Sequence, residues 1–258
     1  MTEFETAVAA IDAGDVAALE RLLAERPGLV QERLDGGEGY FARPYLLWFV
    51  AENPVRNGRL SANIAEVTLA LIKAGASQLD YTLMLVSSGR VARESGVQRE
   101  LIDVLVDAGA DPNAAMLPAL AHHEDDAVER LLERGAQLTV LGAICTGRDA
   151  TALLETAGAE ERQLAFAGAA LYGNAPMLAL LLGRGVELNA FSPEGMHPHA
   201  TALHHAVASG SVDAVKVLVE AGAALDVRDR AYDGTPLEWA EYLEKTDVAA
   251  YLSACATR

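Results

Sequence analysis

Aromatic residues and cysteines are scarce in this sequence of 258 residues. Aromatic side chains make up only 5% of it, although apolar residues reach 51%, so the core has to be built from Ala, Leu and Val. A chain with this much apolar content is not disordered. The two cysteines, Cys145 and Cys255, form neither a disulfide framework nor a recognisable zinc site. This cysteine usage predicts a reducing, cytoplasmic location.

Basic residues are also few. Lys and Arg total 20 against 37 Asp and Glu, which leaves a formal net charge of −17. This acidity argues against a general nucleic-acid binder, because such a protein neutralises phosphates with a basic face. It favours a partner protein with a basic patch, chiefly by steering association. The opening residues MTEFETAVAA carry acids where a secretory signal needs a basic segment, so we expect no signal peptide.

The usual signatures of catalysis and phosphate binding are missing. HExxH, GxSxG and CxxC do not occur, and neither do GxxxxGKS/T and GxGxxG. The sequence therefore predicts a chain that is not an enzyme and uses no cofactor. One catalytic alternative stays open: Cys145 and His122 or His123 could form a nucleophile–base pair if neighbouring units bring them together. A cysteine in an Ala-rich helix more often serves packing alone.

A long uncharged run, residues 164–183, raises the question of a membrane span. Gly173, Asn174 and Pro176 lie in its middle, and this combination is typical of a turn followed by a helix with proline in its first turn. Each half then has about ten residues, which is too short to cross a bilayer. We therefore predict a buried helix–turn–helix and no membrane segment.

Amphipathic stretches that end in a Gly-Ala-like pair recur along the chain. Their glycines are Gly75, Gly109, Gly135, Gly158, Gly185 and Gly222. Each follows a Leu-containing helical run, which predicts a helix C-terminus in the left-handed conformation. A second marker lies 12 residues upstream in three units, at His123, Gly173 and Gly210. The pattern predicts units of a short Ala-rich helix, a tight turn and a longer Leu-rich helix, which bury their apolar faces by stacking.

Two segments carry a family resemblance. Residues 201–226, TALHHAVASGSVDAVKVLVEAGAALD, resemble a nearly complete ankyrin repeat, whose hallmark is T-P-L-H-x-A followed by a Leu-rich helix and G-A. TPLEWA at 235–240 opens another repeat, and residues 4–30 resemble the first repeat of bacterial ankyrin proteins. The resemblance implies a single all-α domain over residues 1–258, an ankyrin-repeat solenoid of about eight helix–turn–helix units. We predict these units at about 4–26, 43–77, 82–111, 114–137, 138–159, 164–189, 201–226 and 235–257.

The spacing departs from the family period of about 33 residues. Glycine spacings fall to 26, 23 and 27 in the middle of the chain. This shortening predicts short or missing β-hairpin fingers between units 4, 5 and 6. Extra residues lie at 52–60 within unit 2, at 88–96 within unit 3 and at 191–199 between units 6 and 7. Insertions in such repeats map to loops on one face, often the binding face.

The first two insertions carry four arginines in this otherwise acidic chain: Arg56, Arg59, Arg90 and Arg93. If adjacent repeats place these loops side by side, the guanidinium groups could converge and bind a carboxylate or phosphate in bidentate fashion. This hypothesis predicts a site for an anionic ligand or an acidic peptide. The alternative is that the arginines pair with acids such as Glu52, Glu94 and Asp107 on the nearby surface.

Four histidines fall within nine residues. Among them His197, His199 and His205 are weak candidates for a metal site, because imidazole is a common ligand. No cysteine or carboxylate completes a recognisable ligand set, and a pH-sensitive surface patch is the alternative. The ankyrin resemblance implies that His204 ties its loop to the next repeat by hydrogen bonds. His123 stands where the family has a turn glycine, so we expect it in the left-handed region.

The ankyrin resemblance also implies a recognition surface on the exposed side of the first helices and the turns after them. By register this surface would present His122, Tyr172, His205, Trp239 and Tyr242, although Trp239 could equally seal the last repeat. We therefore predict a non-catalytic scaffold that binds another protein through its concave face and inserted loops. The alternative is a small-molecule or anion-binding protein, or an unusual enzyme, that uses the Arg loops and the His/Tyr/Trp surface as a pocket.

Overall fold

The computed structural model describes residues 2–36 and 42–256. Within these residues regular structure is helical, and β structure is limited to two isolated bridges, Arg33–Tyr45 and Phe191–Thr201. The chain forms two compact units, Met1–Gln137 and Leu138–Arg258. The all-α class predicted from the repeat pattern is confirmed.

The first unit contains four helix pairs. Its helices are α1 (Glu3–Ala13), α2 (Val16–Glu25), two 3-10 helices (Pro27–Gln31 and Leu46–Ala51), α3 (Ile64–Lys73), α4 (Leu79–Ser87), α5 (Arg90–Glu94), α6 (Gln98–Asp107), α7 (Pro112–Ala121) and α8 (Asp125–Glu133). The first helix of the second repeat is the 3-10 helix Leu46–Ala51, and all six of its residues are buried. Tertiary packing therefore stabilises it, since its Trp, Phe and Val have low helix propensity.

The second unit contains four further pairs: α9 (Val140–Cys145) and α10 (Thr151–Thr156), α11 (Ala159–Leu171) and α12 (Ala175–Leu182), α13 (Ala202–Ser209) and α14 (Val212–Glu220), α15 (Pro236–Tyr242) and α16 (Thr246–Ala256). Only Ala157 and Gly158 connect α10 to α11, so the finger predicted to be reduced is missing there. The uncharged run becomes α11, a turn at Gly173 and α12, as predicted. No helix among the described residues is long and apolar enough to cross a membrane.

In three repeats the first helix begins two or more residues before the predicted start of the unit. The first helices begin at Leu79, Pro112 and Ala159, whereas the units were predicted to begin at 82, 114 and 164. The opening turns of α4 and α11 carry the acidic residues Asp80, Glu160 and Glu161. Because these side chains favour the helix N-terminus without adding apolar residues, the apolar pattern starts about one turn after the helix does.

At least one residue with positive φ lies between the two helices of each repeat. These residues are Gly14, Glu52 and Gly58 (both in the second repeat), Gly96, His123, Gly147, Gly173, Gly210 and Glu244. In most repeats the next N–H donates back to an alanine carbonyl on the first helix, as from Asn174 to Ala169 at 2.8 Å and from Glu124 to Ala119 at 3.0 Å. The expected left-handed conformation of His123 is confirmed, with φ of 55°.

Five of the six predicted glycine C-termini also have positive φ: Gly75, Gly109, Gly135, Gly185 and Gly222. The prediction for Gly158 is wrong. Its backbone is extended, with φ of −71° and ψ of 171°, and it serves as the N-cap of α11. Because the link between α10 and α11 is only two residues long, the chain has no room for a left-handed terminus there.

Small residues build the contact between successive first helices. In the second unit α11 packs against both α9 and α13, and Ala143, Ala165, Ala169 and Ala206 are fully buried. A Cβ added at Gly168 of α11 would lie 2.0 Å from Leu141 Cδ1 of α9. Alanine and glycine therefore let neighbouring repeats approach closely, which explains a core with so few aromatic residues.

We expect Gly173→Ala to destabilise the second unit more than Gly185→Ala does. Both glycines are left-handed, so each alanine costs about 1 kcal/mol in backbone strain. Only at Gly173 would the new Cβ meet the next repeat, 2.7 Å from Ser211 Cβ, and this overlap adds about 1–2 kcal/mol. Urea unfolding measures both free energies, and equal losses in the two variants would contradict this view of repeat packing.

Candidate functional site

Arg56 lies against the first unit's own acidic and aromatic side chains. Its guanidinium bonds to Asp12 Oδ1 at 2.5 Å and lies 3.5 Å from Glu52 Oε1, with Cζ 4.5 Å from the ring centroid of Phe49. Asp12 belongs to α1, in the preceding repeat. Arg56 therefore points away from the third repeat, where Arg90 and Arg93 lie.

The insertion that carries Arg56 is organised around the carboxylate of Glu52. This side chain is fully buried and accepts hydrogen bonds from the backbone N–H groups of Arg56 at 2.7 Å, Asn57 at 3.1 Å and Gly58 at 3.2 Å. The loop closes on this carboxylate, because a buried carboxylate requires several donors. Residues 52–60 are thus an ordered element of the fold.

The other arginines of the insertions have separate environments. Arg93 bonds to the buried carboxylate of Glu124 at 2.7 Å, in the next repeat, and Arg90 pairs with Glu94 at 2.9 Å one turn along α5. Arg59 is exposed and makes no ion pair within the described residues. The two insertions do touch, since the Leu60 N–H donates to Ser95 Oγ at 3.0 Å. Three of the four guanidinium groups are nevertheless held by carboxylates of this chain.

His197 and His199 of the insertion at 191–199 belong to the second unit, as does His205 of α13. His205 is buried, with only 2% of its surface exposed. Its Nε2 is hydrogen-bonded to the Ser192 hydroxyl at 2.9 Å, and its ring centroid lies 6.0 Å from that of His197. The prediction that His205 lies on an exposed recognition surface is therefore wrong. The buried His205 side chain instead packs under the insertion at 191–199 and stabilises it. No group of three His, Cys, Asp or Glu side chains suited to a metal ion occurs among the described residues.

His204 takes the role implied by the ankyrin resemblance. Its Nε2–H donates to the Gly234 carbonyl at 3.1 Å, while Nδ1 accepts from the Thr201 hydroxyl at 2.9 Å. Burial lowers the pKa of His204 and, with the nearby His197, that of His199. Burial together with the neighbouring histidines lowers the pKa of His205 to about 3. These three imidazoles are therefore neutral at pH 7.

The other predicted surface residues end first helices. His122 is the exposed C-cap of α7 in the first unit, and Tyr172 is the half-buried C-cap of α11 in the second. Cys145 is the half-buried last residue of α9, also in the second unit. Tyr242 is the last residue of α15 and is 87% exposed.

Tyr242 and Trp239 line a groove of about 690 Å³ in the last repeat, which we call the aromatic groove. Its lining residues are Tyr232, Asp233, Gly234, Glu238, Trp239, Tyr242 and Leu243. Tyr232 is 77% exposed, whereas Trp239 is half-buried, with the two ring centroids 6.4 Å apart. The groove is thus an apolar surface with two tyrosines exposed and two carboxylates beside them.

The buried carboxylate of Asp229 fixes the shape of the aromatic groove by its hydrogen bonds. Its carboxylate accepts the Trp239 indole N–H at 2.9 Å and the backbone N–H groups of Ala231, Tyr232 and Gly234 at 2.7–2.9 Å. Burial opposes ionisation of Asp229, but these hydrogen bonds outweigh it and lower its pKa to about 2. One anionic side chain therefore fixes both the loop that carries Tyr232 and the Trp239 ring.

Sequence reasoning missed Tyr232 and Asp229. The available signal was the polar segment D-R-A-Y-D-G-T-P at 229–236, which is typical of a tight turn before a helix. Trp239, by contrast, combines both roles considered for it, since it packs against His204 at 5.1 Å between centroids and also lines the groove.

Comparisons with known proteins agree with the repeats. The family described as Ankyrin repeats (3 copies) matches residues 83–229 and 164–257, more than half of the chain. The chain therefore belongs to the ankyrin-repeat family and is a protein–protein interaction module.

Curated relatives are similar over part of this chain. Human cyclin-dependent kinase inhibitor 2A is 41% identical over 86 residues, which are 33% of this chain and 53% of that protein. Mouse cyclin-dependent kinase 4 inhibitor B is 30% identical over 146 residues, 57% of this chain and 95% of that protein. The chain thus spans about half the length of the first relative and nearly all of the second.

Arg93→Ala should destabilise the first unit by about 1–3 kcal/mol, because the buried Glu124 carboxylate loses its charged donor and keeps the longer bond from Gln98 Nε2 at 3.3 Å. Arg90→Ala is the matched control, since its partner Glu94 is exposed and the pair is worth well under about 1 kcal/mol. Chemical denaturation compares them. Equal effects would mean that the buried pair adds no more stability than the exposed one.

We expect the second unit to lose stability as the pH falls below about 6.5. The folded pKa of His205 lies near 3, below that of an unfolded histidine, so the unfolded state binds more protons between these values. Stability is then complete above pH 6.5 and falls by up to about 1.4 kcal/mol per pH unit below it. His205→Gln should reduce the difference in unfolding free energy between pH 7.5 and 5.0. An unchanged difference would contradict the role given to His205.

Proposed function

We propose that this chain is a non-catalytic adaptor that holds a partner protein on the exposed ends of its first helices, centred on the aromatic groove. One observation carries the proposal: Tyr242 and Tyr232, 87% and 77% exposed, flank the half-buried Trp239. Single exposed apolar residues are ordinary on protein surfaces. Two exposed tyrosines beside a tryptophan in one groove form the kind of cluster that anchors interfaces.

The groove is rigid before any partner binds, which favours affinity. Asp229 fixes the loop and the tryptophan, the His204–Gly234 bond ties that loop to α13, and the His199 ring lies 5.8 Å from Tyr232 and 6.1 Å from Trp239. Little side-chain entropy remains to be lost at this floor on association. The binding free energy is therefore available for selecting the partner.

We propose that the ends of other first helices add to the binding surface of their own unit. In the second unit Tyr172 is the C-cap of α11, and in the first unit His122 is the C-cap of α7; Tyr242, the last residue of α15, lies one position earlier in its repeat. Trp239 contributes from the helix itself, whereas buried His205 contributes only by supporting the finger. Within each unit, the concave face of its repeats is thus the proposed binding surface.

A protein is the partner that these features favour. Two relatives are named as inhibitors of cyclin-dependent kinases, and we propose a protein partner for this chain by analogy. A kinase does not follow from the similarity, because the repeat signature residues, such as His204 and Gly210, have structural roles here. We also propose an intracellular, cytoplasmic site of action, in keeping with two cysteines that form no disulfide with each other.

The alternative of an anion pocket or an enzyme has less support. Arg56, Arg90 and Arg93 are held by carboxylates, so an anionic ligand would have to displace an ion pair at each. The lining residues of the aromatic groove offer carboxylates and aromatic rings, but neither a histidine nor a cysteine as a nucleophile–base pair.

Tyr242→Ala should abolish or greatly reduce capture of the natural partner from cell extract, because a central tyrosine anchor contributes about 2 kcal/mol or more. Leu180→Ala, another exposed apolar residue of the second unit, is the control and should capture normally. Arg59→Ala tests the inserted loop without disturbing an ion pair. Quantitative mass spectrometry of the captured proteins provides the measurement. Loss with Arg59→Ala and retention with Tyr242→Ala would move the site to the insertions.

A further inference from the structure

We propose that the aromatic groove receives an arginine side chain from a basic segment of the partner protein. This inference rests on the proposed function and specifies the chemistry of the same site. It is carried by the juxtaposition of open aromatic rings with Asp233 and Glu238 on the rim of the groove.

The ring face of Trp239 is suited to a cation. Its indole N–H donates to the Asp229 carboxylate at 2.9 Å, and this charge-assisted bond polarises the indole and enriches electron density on the ring. A guanidinium over such a face is attracted by the ring quadrupole. Tyr232 and Tyr242 flank the same space, so a bound side chain would have aromatic surface on more than one side.

The rim already binds one guanidinium. Arg228 Nη1 lies 3.2 Å from Glu238 Oε2 and 3.9 Å from Asp233 Oδ2, and all three side chains are about half exposed or more. Among the described residues, the arginines placed over aromatic rings are Arg33, Arg56 and Arg230. Arg228 therefore uses the carboxylates of the groove and leaves its rings available.

The first unit contains a complete version of this arrangement. Arg56 lies 4.5 Å from the ring centroid of Phe49 while its guanidinium reaches the carboxylates of Asp12 and Glu52. The aromatic groove presents the same two kinds of group, ring face and paired carboxylates. Arginine fits better than lysine, because its planar guanidinium stacks on a ring and bonds to carboxylates at once. The net charge of −17 favours approach of a basic segment.

The probe is a fluorescein-labelled Gly-Ser peptide with several arginines, compared by anisotropy with the same peptide carrying neutral citrulline. The arginine peptide should bind at least about fivefold more tightly to the full chain. Tyr242→Ala removes no charge and should lower the affinity about fivefold. Leu180→Ala is its control and should leave the affinity unchanged.

Charge variants separate the groove from general attraction by an acidic protein. Glu238→Gln keeps a side-chain acceptor for the Thr235 N–H and should weaken binding more than Glu220→Gln, which removes one exposed carboxylate of α14. Arg228→Ala removes the internal competitor and should strengthen binding of the arginine peptide severalfold. Arg228→Gln should do the same while keeping a donor for the Asp233 carbonyl, and melting temperatures verify folding.

Two results would overturn the arginine assignment: equal affinity of the citrulline peptide, or unchanged or weaker binding in both Arg228 variants. These results are distinct from failure of the proposed function. A partner that is still lost with Tyr242→Ala would keep the groove as the interface and reject only its cationic occupant. A partner that is retained with Tyr242→Ala would reject the groove itself.

Discussion

The reversal of the chain at a left-handed residue between paired helices is the constraint on which the rest of the structure depends. Where the turn is tight, the following N–H returns to an alanine carbonyl of the first helix, as Lys245 does to Ala240. The small alanine allows the neighbouring repeat to pack directly against the helix. The same turn brings the end of each first helix to the surface, which is where Tyr172 and Tyr242 lie. Repeat packing and the proposed binding surface thus share one local cause.

Arginines act mainly as internal counterions in this acidic chain. Glu52 and Glu124 are buried carboxylates, and each lies within an ion-pair distance of an arginine from an insertion. A buried carboxylate without donors would be strongly destabilising, so these arginines contribute to the fold before they could serve any ligand. Other arginines pair with exposed acids, as Arg90 does with Glu94 and Arg228 with Glu238, but 20 basic residues cannot balance 37 acidic ones. The protein surface therefore carries the excess negative charge of −17, and this charge favours a basic partner.

In the last repeats, buried polar groups position exposed aromatic ones. Asp229 binds the loop and the indole of Trp239, His204 binds the loop carbonyl of Gly234, and His199 lies beside the rings from the finger. The Asp229 carboxylate and the His204 imidazole make their hydrogen bonds within the protein, so the floor of the groove does not have to reorganise when it is occupied. Low pH lowers the stability of these last repeats, because the surroundings of buried His205 oppose its protonation.

Local signals in the sequence determined the helix pairs, the left-handed turns and the ankyrin fold, because periodicity, small residues and turn glycines act over a few positions. Only the tertiary structure decided that the insertion at 52–60 is ordered. It also decided that His205 is buried and which carboxylates the arginines bind. Arg93 and Glu124 are 31 residues apart, and Arg56 and Asp12 are 44 apart. Whether a polar side chain meets solvent, a carboxylate or a neighbouring loop depends on how closely adjacent repeats stack, and spacing along one repeat carries no information about that distance.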